Sequence, residues 1–166
     1  MTSMIGSLAA PALAIGICAT LVMDLWALLL RRLFGITPLD FAMVGRWLGH
    51  MPAGRFAHEA IGRAAPVAGE KALGWFVHYA IGVGFSAGLL AIVGVDWLRA
   101  PTLWPALTFG IVTVVVPFFV MQPAFGAGIA ASNTPAPAKA RLRSLMTHAV
   151  FGVGLYLGAC AVSRWM

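Results

Sequence analysis

Asp24, His78 and His148 are ionisable residues that interrupt otherwise apolar runs of this 166-residue chain. Counted from the nearest basic residue closing each run, Asp24 is seven positions from Arg31, His78 seven from Lys71 and His148 five from Arg143. At a helical rise of about 1.5 Å per residue, all three are expected roughly 7 to 10 Å inside the same ends of their helices, in one layer. An Asp at mid-bilayer costs about 2.5–3.5 kcal/mol, so its carboxylate should face protein or water and have a partner. Pairing Asp24 with one or both imidazoles meets that need. Thr20, one turn from Asp24, Thr147, beside His148, and Gln122, at the end of a further run, extend the polar set.

Three kinds of chemistry suit these residue types. Asp and His together form intramembrane proton or ion relays, and on that reading the chain handles protons, ions or a small solute. Two histidines at equal depth on separate helices are also the pattern of paired axial haem ligands, or with Asp24 of a metal site. The third is structural: polar groups bond across helices, and the chain is an assembly subunit of a membrane complex. Gly82 and Gly84, and likewise Gly152 and Gly154, follow the two histidines and are expected to let helix backbones approach. A second cluster, His50, His58 and Glu59 with Glu70, has residue types able to hold a divalent ion, although such groups also serve as a solvated face. No conventional catalytic motif is present. Ser132, Ser144 and Ser163 lack a nucleophile-elbow context, and no Walker or dinucleotide glycine pattern occurs. Cys18 and Cys160 sit in apolar runs without CxxC spacing, as packing residues do.

The elements that must position these groups follow from composition. The chain is 61% hydrophobic and 10% charged, with mean hydropathy +0.92, against about a quarter charged in soluble domains. This excludes a soluble enzyme, a disulfide scaffold and a disordered linker. A net charge of +6 would point a soluble domain toward nucleic acid. Here the basic residues lie between apolar blocks, where they orient membrane helices, and no nucleic-acid partner is expected. Four spans are read at about 5–30, 72–95, 103–121 and 145–162, with Pro117 kinking the third. The stretch 122–138 fits an extension of the third helix, a re-entrant segment or a packed loop. The first run is too long for a secretory signal and has no basic residue before it, so it is expected to stay uncleaved.

Orientation comes from the basic residues. Arg31, Arg32, Arg46, Arg55, Arg63 and Lys71 follow span one, and Lys139, Arg141 and Arg143 follow span three; Arg99 and Arg164 lie on the other side. Nine against two places the two longer connections in the cytoplasm and both termini in the periplasm. Trp97, Trp104 and Trp165 then fall at the outer interface, and Trp26, Trp47 and Trp75 near the inner one. Within the connection 34–71, Thr37 reads as an N-cap with Pro38 at the first helical position. Leu39, Met43, Val44, Trp47, Leu48 and Met51 then recur at helical spacing. The segment 55–64, with Phe56, Ala60 and Ile61, reads as a second interfacial helix ended by Pro66.

The halves of the chain repeat. Residues 76–84 align with 146–154, both reading His-x3-Gly-Val-Gly, and 11–17 align with 105–111, sharing Pro-Ala-Leu-x2-Gly-Ile. The fold expected is therefore all-α: four transmembrane helices in a pseudo-twofold bundle of two parallel two-helix repeats, with short cytoplasmic interfacial helices. One integral-membrane domain, 1–166, contacts the lipid bilayer and has Gly-rich faces suited to a homo-oligomer or other membrane proteins.

These residues also carry a family resemblance. Gly16-Ile17-Cys18-Ala19-Thr20-Leu21-Val22-Met23-Asp24-Leu25-Trp26, Val44-Gly45-Arg46-Trp47-Leu48-Gly49-His50, Gly69-Glu70-Lys71-Ala72-Leu73-Gly74-Trp75, and Met121-Gln122-Pro123 with 126–132 are its signature segments. The chain resembles a family of small bacterial inner-membrane proteins known as domain of unknown function 2938. The resemblance implies a four-span bacterial membrane protein and brings no activity, substrate or site. The Thr-x2-Met-Asp ending of span one is also similar to a wider group of small bacterial membrane proteins, some linked to acid tolerance; five residues are too few to transfer a function.

Overall fold

The computed structural model describes residues 2–165, with side chains from Leu8 to Trp165. Met1 and Met166, counted in the expected single domain, lie outside the described residues. The elements among the described residues are helical: α1 (Thr2–Phe34), α2 (Phe41–His50), α3 (Glu70–Val93), α4 (Leu103–Val112), α5 (Gln122–Ala124) and α6 (Pro137–Ser163). Four stretches are long and apolar enough to cross a membrane: Leu8–Phe34, Glu70–Val93, Leu103–Ala124 and Pro137–Ser163. The chain is thus an all-α, multi-pass membrane protein.

Its contacts divide into two compact units. The first takes in the chain up to Pro38, Tyr79–Thr113, and the chain from Met146 on; the second is Leu39–His78 with Val114–Leu145. In the first unit Ile15, Ala19, Leu89, Leu90, Ala106, Leu155 and Ala159 form a fully buried core drawn from α1, α3, α4 and α6. Glycines set the helix spacing there. A Cβ on Gly16 would lie 2.5 Å from Val83 Cα, and one on Gly110 would lie 2.5 Å from Gly152 N, so only glycine allows these crossings. Ile92 and Trp104 are 74% and 73% exposed, as befits side chains whose solvent is lipid.

The second unit is built on Arg46. Its guanidinium donates to both carboxylate oxygens of Glu70, at 2.9 and 2.7 Å, and to the carbonyls of Ile61 and Ala64, each at 3.2 Å. The planar fork matches carboxylate geometry, and the hydrogen bond to Glu70 raises the already high pKa of Arg46. Gly45 lies against the Glu70 carbonyl and Gly74 against that of Phe41, so α2 meets the first turns of α3 backbone to backbone.

Several expected boundaries shift. The cap of α2 is Asp40, whose carboxylate accepts from Ala42 N–H at 2.9 Å, so Thr37 and Pro38 stay outside the helix. The helix read over 55–64 does not form; only a 3-10 turn, Ile61–Arg63, is present. Its backbone groups find partners elsewhere: His58 and Ile61 N–H donate to the carbonyls of Ala124 and Phe125, and Arg46 takes the carbonyls of Ile61 and Ala64. The first span runs on to Phe34, where Gly35, at φ +65°, closes it with a bond to Arg31. The last helix begins at Pro137, eight residues before the expected 145, and carries Lys139, Arg141 and Arg143 on its early turns.

Pro117 interrupts the third span, as expected. Lacking an N–H, it leaves the ladder open; α4 stops at Val112 and Pro117–Met121 winds as a π-helix, with Gln122 N–H donating to the Pro117 carbonyl. Helical structure passes Pro123 by one residue. The chain then runs irregularly to Pro137, with Gly126, Gly128, Ala130 and Ala131 all at positive φ.

Candidate functional site

Asp24 lies on α1 and accepts a hydrogen bond from the phenol of Tyr79, at 2.9 Å. Both belong to the first unit. Tyr79 is the residue the sequence reading passed over. Its only signal was position: a phenol inside an apolar run, directly after His78.

His148, half-buried on α6, has its Nδ1 2.7 Å from the Thr113 hydroxyl, also in the first unit. Thr113 has a single hydroxyl proton, and its oxygen lies 2.5 Å from the Gly110 carbonyl, a separation that requires a hydrogen between them. The hydroxyl therefore donates to Gly110 and accepts from His148 Nδ1–H. In the neutral ring Nε2 then carries the lone pair. Gly110 is also the glycine that brings α4 against Gly152 of α6, so one crossing both packs the helices and orients the imidazole.

Thr20 is fully buried and donates to the Gly16 carbonyl of its own helix at 2.8 Å, with Gly82 lying against its hydroxyl oxygen. It thus serves the α1–α3 crossing. Thr147 is half-buried beside His148. Gly152 lies against Ala106 and Leu107, and Gly154 against Ala19. Gly84 departs from the reading that all four glycines pack: it is exposed, and a Cβ there would meet nothing within 4 Å.

The remaining expected residues belong to the second unit. His78 stacks on Phe41, with centroids 3.9 Å apart and planes 27° apart, and meets Trp75 edge-on at 5.8 Å. Gln122 Nε2 is 3.4 Å from Ser144 Oγ, and its Oε1 is buried without a hydrogen-bond partner among the described residues. Rotating the amide would let Ser144 donate to the oxygen instead. His50 and His58 meet ring to ring while Glu59 is exposed, and no group of three or more His, Cys, Asp or Glu gathers among the described residues.

Four apolar spans holding a carboxylate, a phenol and an imidazole within them define a multi-pass helical membrane protein with ionisable groups inside its bundle. A family model described as protein of unknown function (DUF2938) matches residues 13–162, and the chain belongs to that family. Nothing among the curated proteins or the solved structures matches it.

Proposed function

We propose that this is a bacterial inner-membrane protein that binds and passes protons through its bundle, with Asp24 and His148 as the groups that exchange them. The hydrogen bond from Tyr79 to Asp24 carries the reading. A carboxylate inside a span is costly, and the Tyr79 phenol offsets part of that cost by donating to it. His148 adds an imidazole whose orientation is held by Thr113. The charge count supports both termini lying in the periplasm, with the two longer connections in the cytoplasm.

The parallel two-helix repeat is part of this proposal. In the sequence alignment Gly16 corresponds to Gly110 and Gly82 to Gly152. Each half makes a glycine crossing with these residues, Gly16 against Gly82 and Val83, and Gly110 against Gly152. Each half also has a buried Thr bonded to the first glycine's carbonyl.

The test is proton flux in liposomes carrying a pH-sensitive dye. Wild type should conduct above empty vesicles, and Asp24→Asn and Tyr79→Phe should each reduce the flux. Equal flux in wild type and Asp24→Asn, or none above empty vesicles, would refute proton passage. A structural subunit is the second reading, favoured by the close backbone crossings at Gly16 and Gly110. It expects Asp24→Asn to alter stability or assembly while flux stays at the empty-vesicle level. A Soret band in the purified protein would instead support histidine-ligated haem.

A further inference from the structure

Within the second unit the segment that follows α2 is tied on two sides. A 3-10 turn over Met51–Ala53, with Gly54 at φ +74°, reverses the chain. The Trp47 indole N–H then donates to the Phe56 carbonyl at 2.8 Å, holding the segment to α2. On the other side, His58 and Ile61 N–H donate to the carbonyls of Ala124 and Phe125, at 2.9 and 3.2 Å. Between these ties His50 Nδ1 and His58 Nε2 stand 2.8 Å apart, with ring centroids at 5.0 Å.

That spacing requires one hydrogen between the nitrogens. Two neutral imidazoles together carry two N–H groups and two lone pairs. One of each meets in the contact, which leaves one N–H and one lone pair for His50 Nε2 and His58 Nδ1. His58 Nδ1 is buried without a hydrogen-bond partner among the described residues. Buried N–H groups are left without a partner more rarely than acceptors are, so the lone pair belongs there. His58 Nε2–H therefore donates to His50 Nδ1, and His50 Nε2 keeps its hydrogen.

The closed pair has no place for a further proton. On His50 Nδ1 it would set two N–H groups against each other, and on His58 Nδ1 it would bury a charged donor without an acceptor. Passing the shared hydrogen to His50 gives no escape, because His58 Nδ1 must then carry one. Once the rings part, the surroundings favour a proton on His50. It closes α2, at the negative end of the dipole, and the Glu70 carboxylate, itself engaged by Arg46, acts on it through space. Arg55, Glu59 and Arg63 on the segment are exposed, and residues 122–128 include no ionisable side chain.

We propose that the His50–His58 contact is a proton-operated clasp, closed while both rings are neutral and opened by uptake of one proton, which frees 56–61 from α2. The open form binds one more proton than the closed form, so closure holds at the alkaline end of the imidazole range, about pH 5–8, and is lost as pH falls through it. One proton corresponds to a change of up to about tenfold in the opening equilibrium per pH unit. The clasp lies in the second unit and is independent of the proton-passage reading, which rests on Asp24 and His148 of the first.

The experiment is hydrogen exchange of the full-length protein in detergent, followed over 55–64 between about pH 8 and 5 and corrected for the intrinsic pH dependence of exchange. Wild type should lose protection as pH falls, by up to about tenfold per pH unit. His50→Gln and His58→Gln, which cannot titrate at the contact, should show no such slope. Both variants keep His78 and His148, so a slope that persists in either one belongs to another group and overturns the clasp, as does a flat wild-type profile. If a variant fails to fold, nitrogen-15 spectra of wild-type histidines decide. Hydrogen on His50 Nε2 and none on His58 Nδ1 is expected in the closed state, with His50 gaining its proton where protection falls; protonation of the pair without loss of protection would overturn the proposal.

Discussion

Gly84→Ala and Gly154→Ala make the same chemical change at aligned positions of the two halves, and the structure expects opposite results. A Cβ on Gly154 would lie 2.7 Å from Ala19 Cα and 3.0 Å from its carbonyl oxygen. Restoring an ordinary contact of about 3.4 Å requires α1 and α6 to separate by about 0.7 Å, an overpacking strain of about 1–3 kcal/mol. At Gly84 nothing stands within 4 Å, so the substitution gains helix propensity, about 0.5–1 kcal/mol. The two variants should differ by about 1.5–4 kcal/mol, which at about 2–4 °C per kcal/mol for a chain of this size is several degrees in Tm. Thermal unfolding in one detergent, followed by circular dichroism, measures it. Equal shifts for the two, or a larger loss at Gly84, would refute the reasoning.

Other substitutions probe the remaining contacts. Arg46→Lys keeps the charge but loses the fork to Glu70 and the bonds to Ile61 and Ala64; a lower Tm and faster hydrogen exchange across 58–69 are expected, and unchanged exchange would show that the network does not hold the segment. Thr113→Val preserves shape while removing the hydroxyl that contacts both the Gly110 carbonyl and His148 Nδ1; a loss of about 1 kcal/mol and a shift of the imidazole nitrogen resonances should follow, and identical spectra would show that the hydroxyl does not engage the ring. Ala130, at φ +47°, should gain about 0.5–1 kcal/mol when changed to Gly, measured as a rise in Tm; a fall would mean that the left-handed turn is not adopted.

The four spans were legible because apolar run length is a local property, and so was the break in the third, since Pro117 removes its own donor wherever the chain places it. The second interfacial helix was misread because periodicity cannot say where backbone groups find partners. Arg46 and the carbonyls of Ala124 and Phe125 take those of the segment 58–64. Of the ionisable residues, Asp24 announced itself as a lone carboxylate in a span, but its partner Tyr79, 55 residues away, and the Thr113 partner of His148, 35 residues away, carried no marker in the chain.

Composition and hydropathy alone determined that the protein lives in a membrane, how many times the chain is long and apolar enough to cross it, and which few polar residues must be explained there. Which groups those residues meet, and why Gly154 is indispensable where Gly84 is spare, was decided by the tertiary structure. A hydrogen bond or a close helix crossing depends on the position of a second helix, and identical local sequences acquire different roles when only one has a neighbour against it.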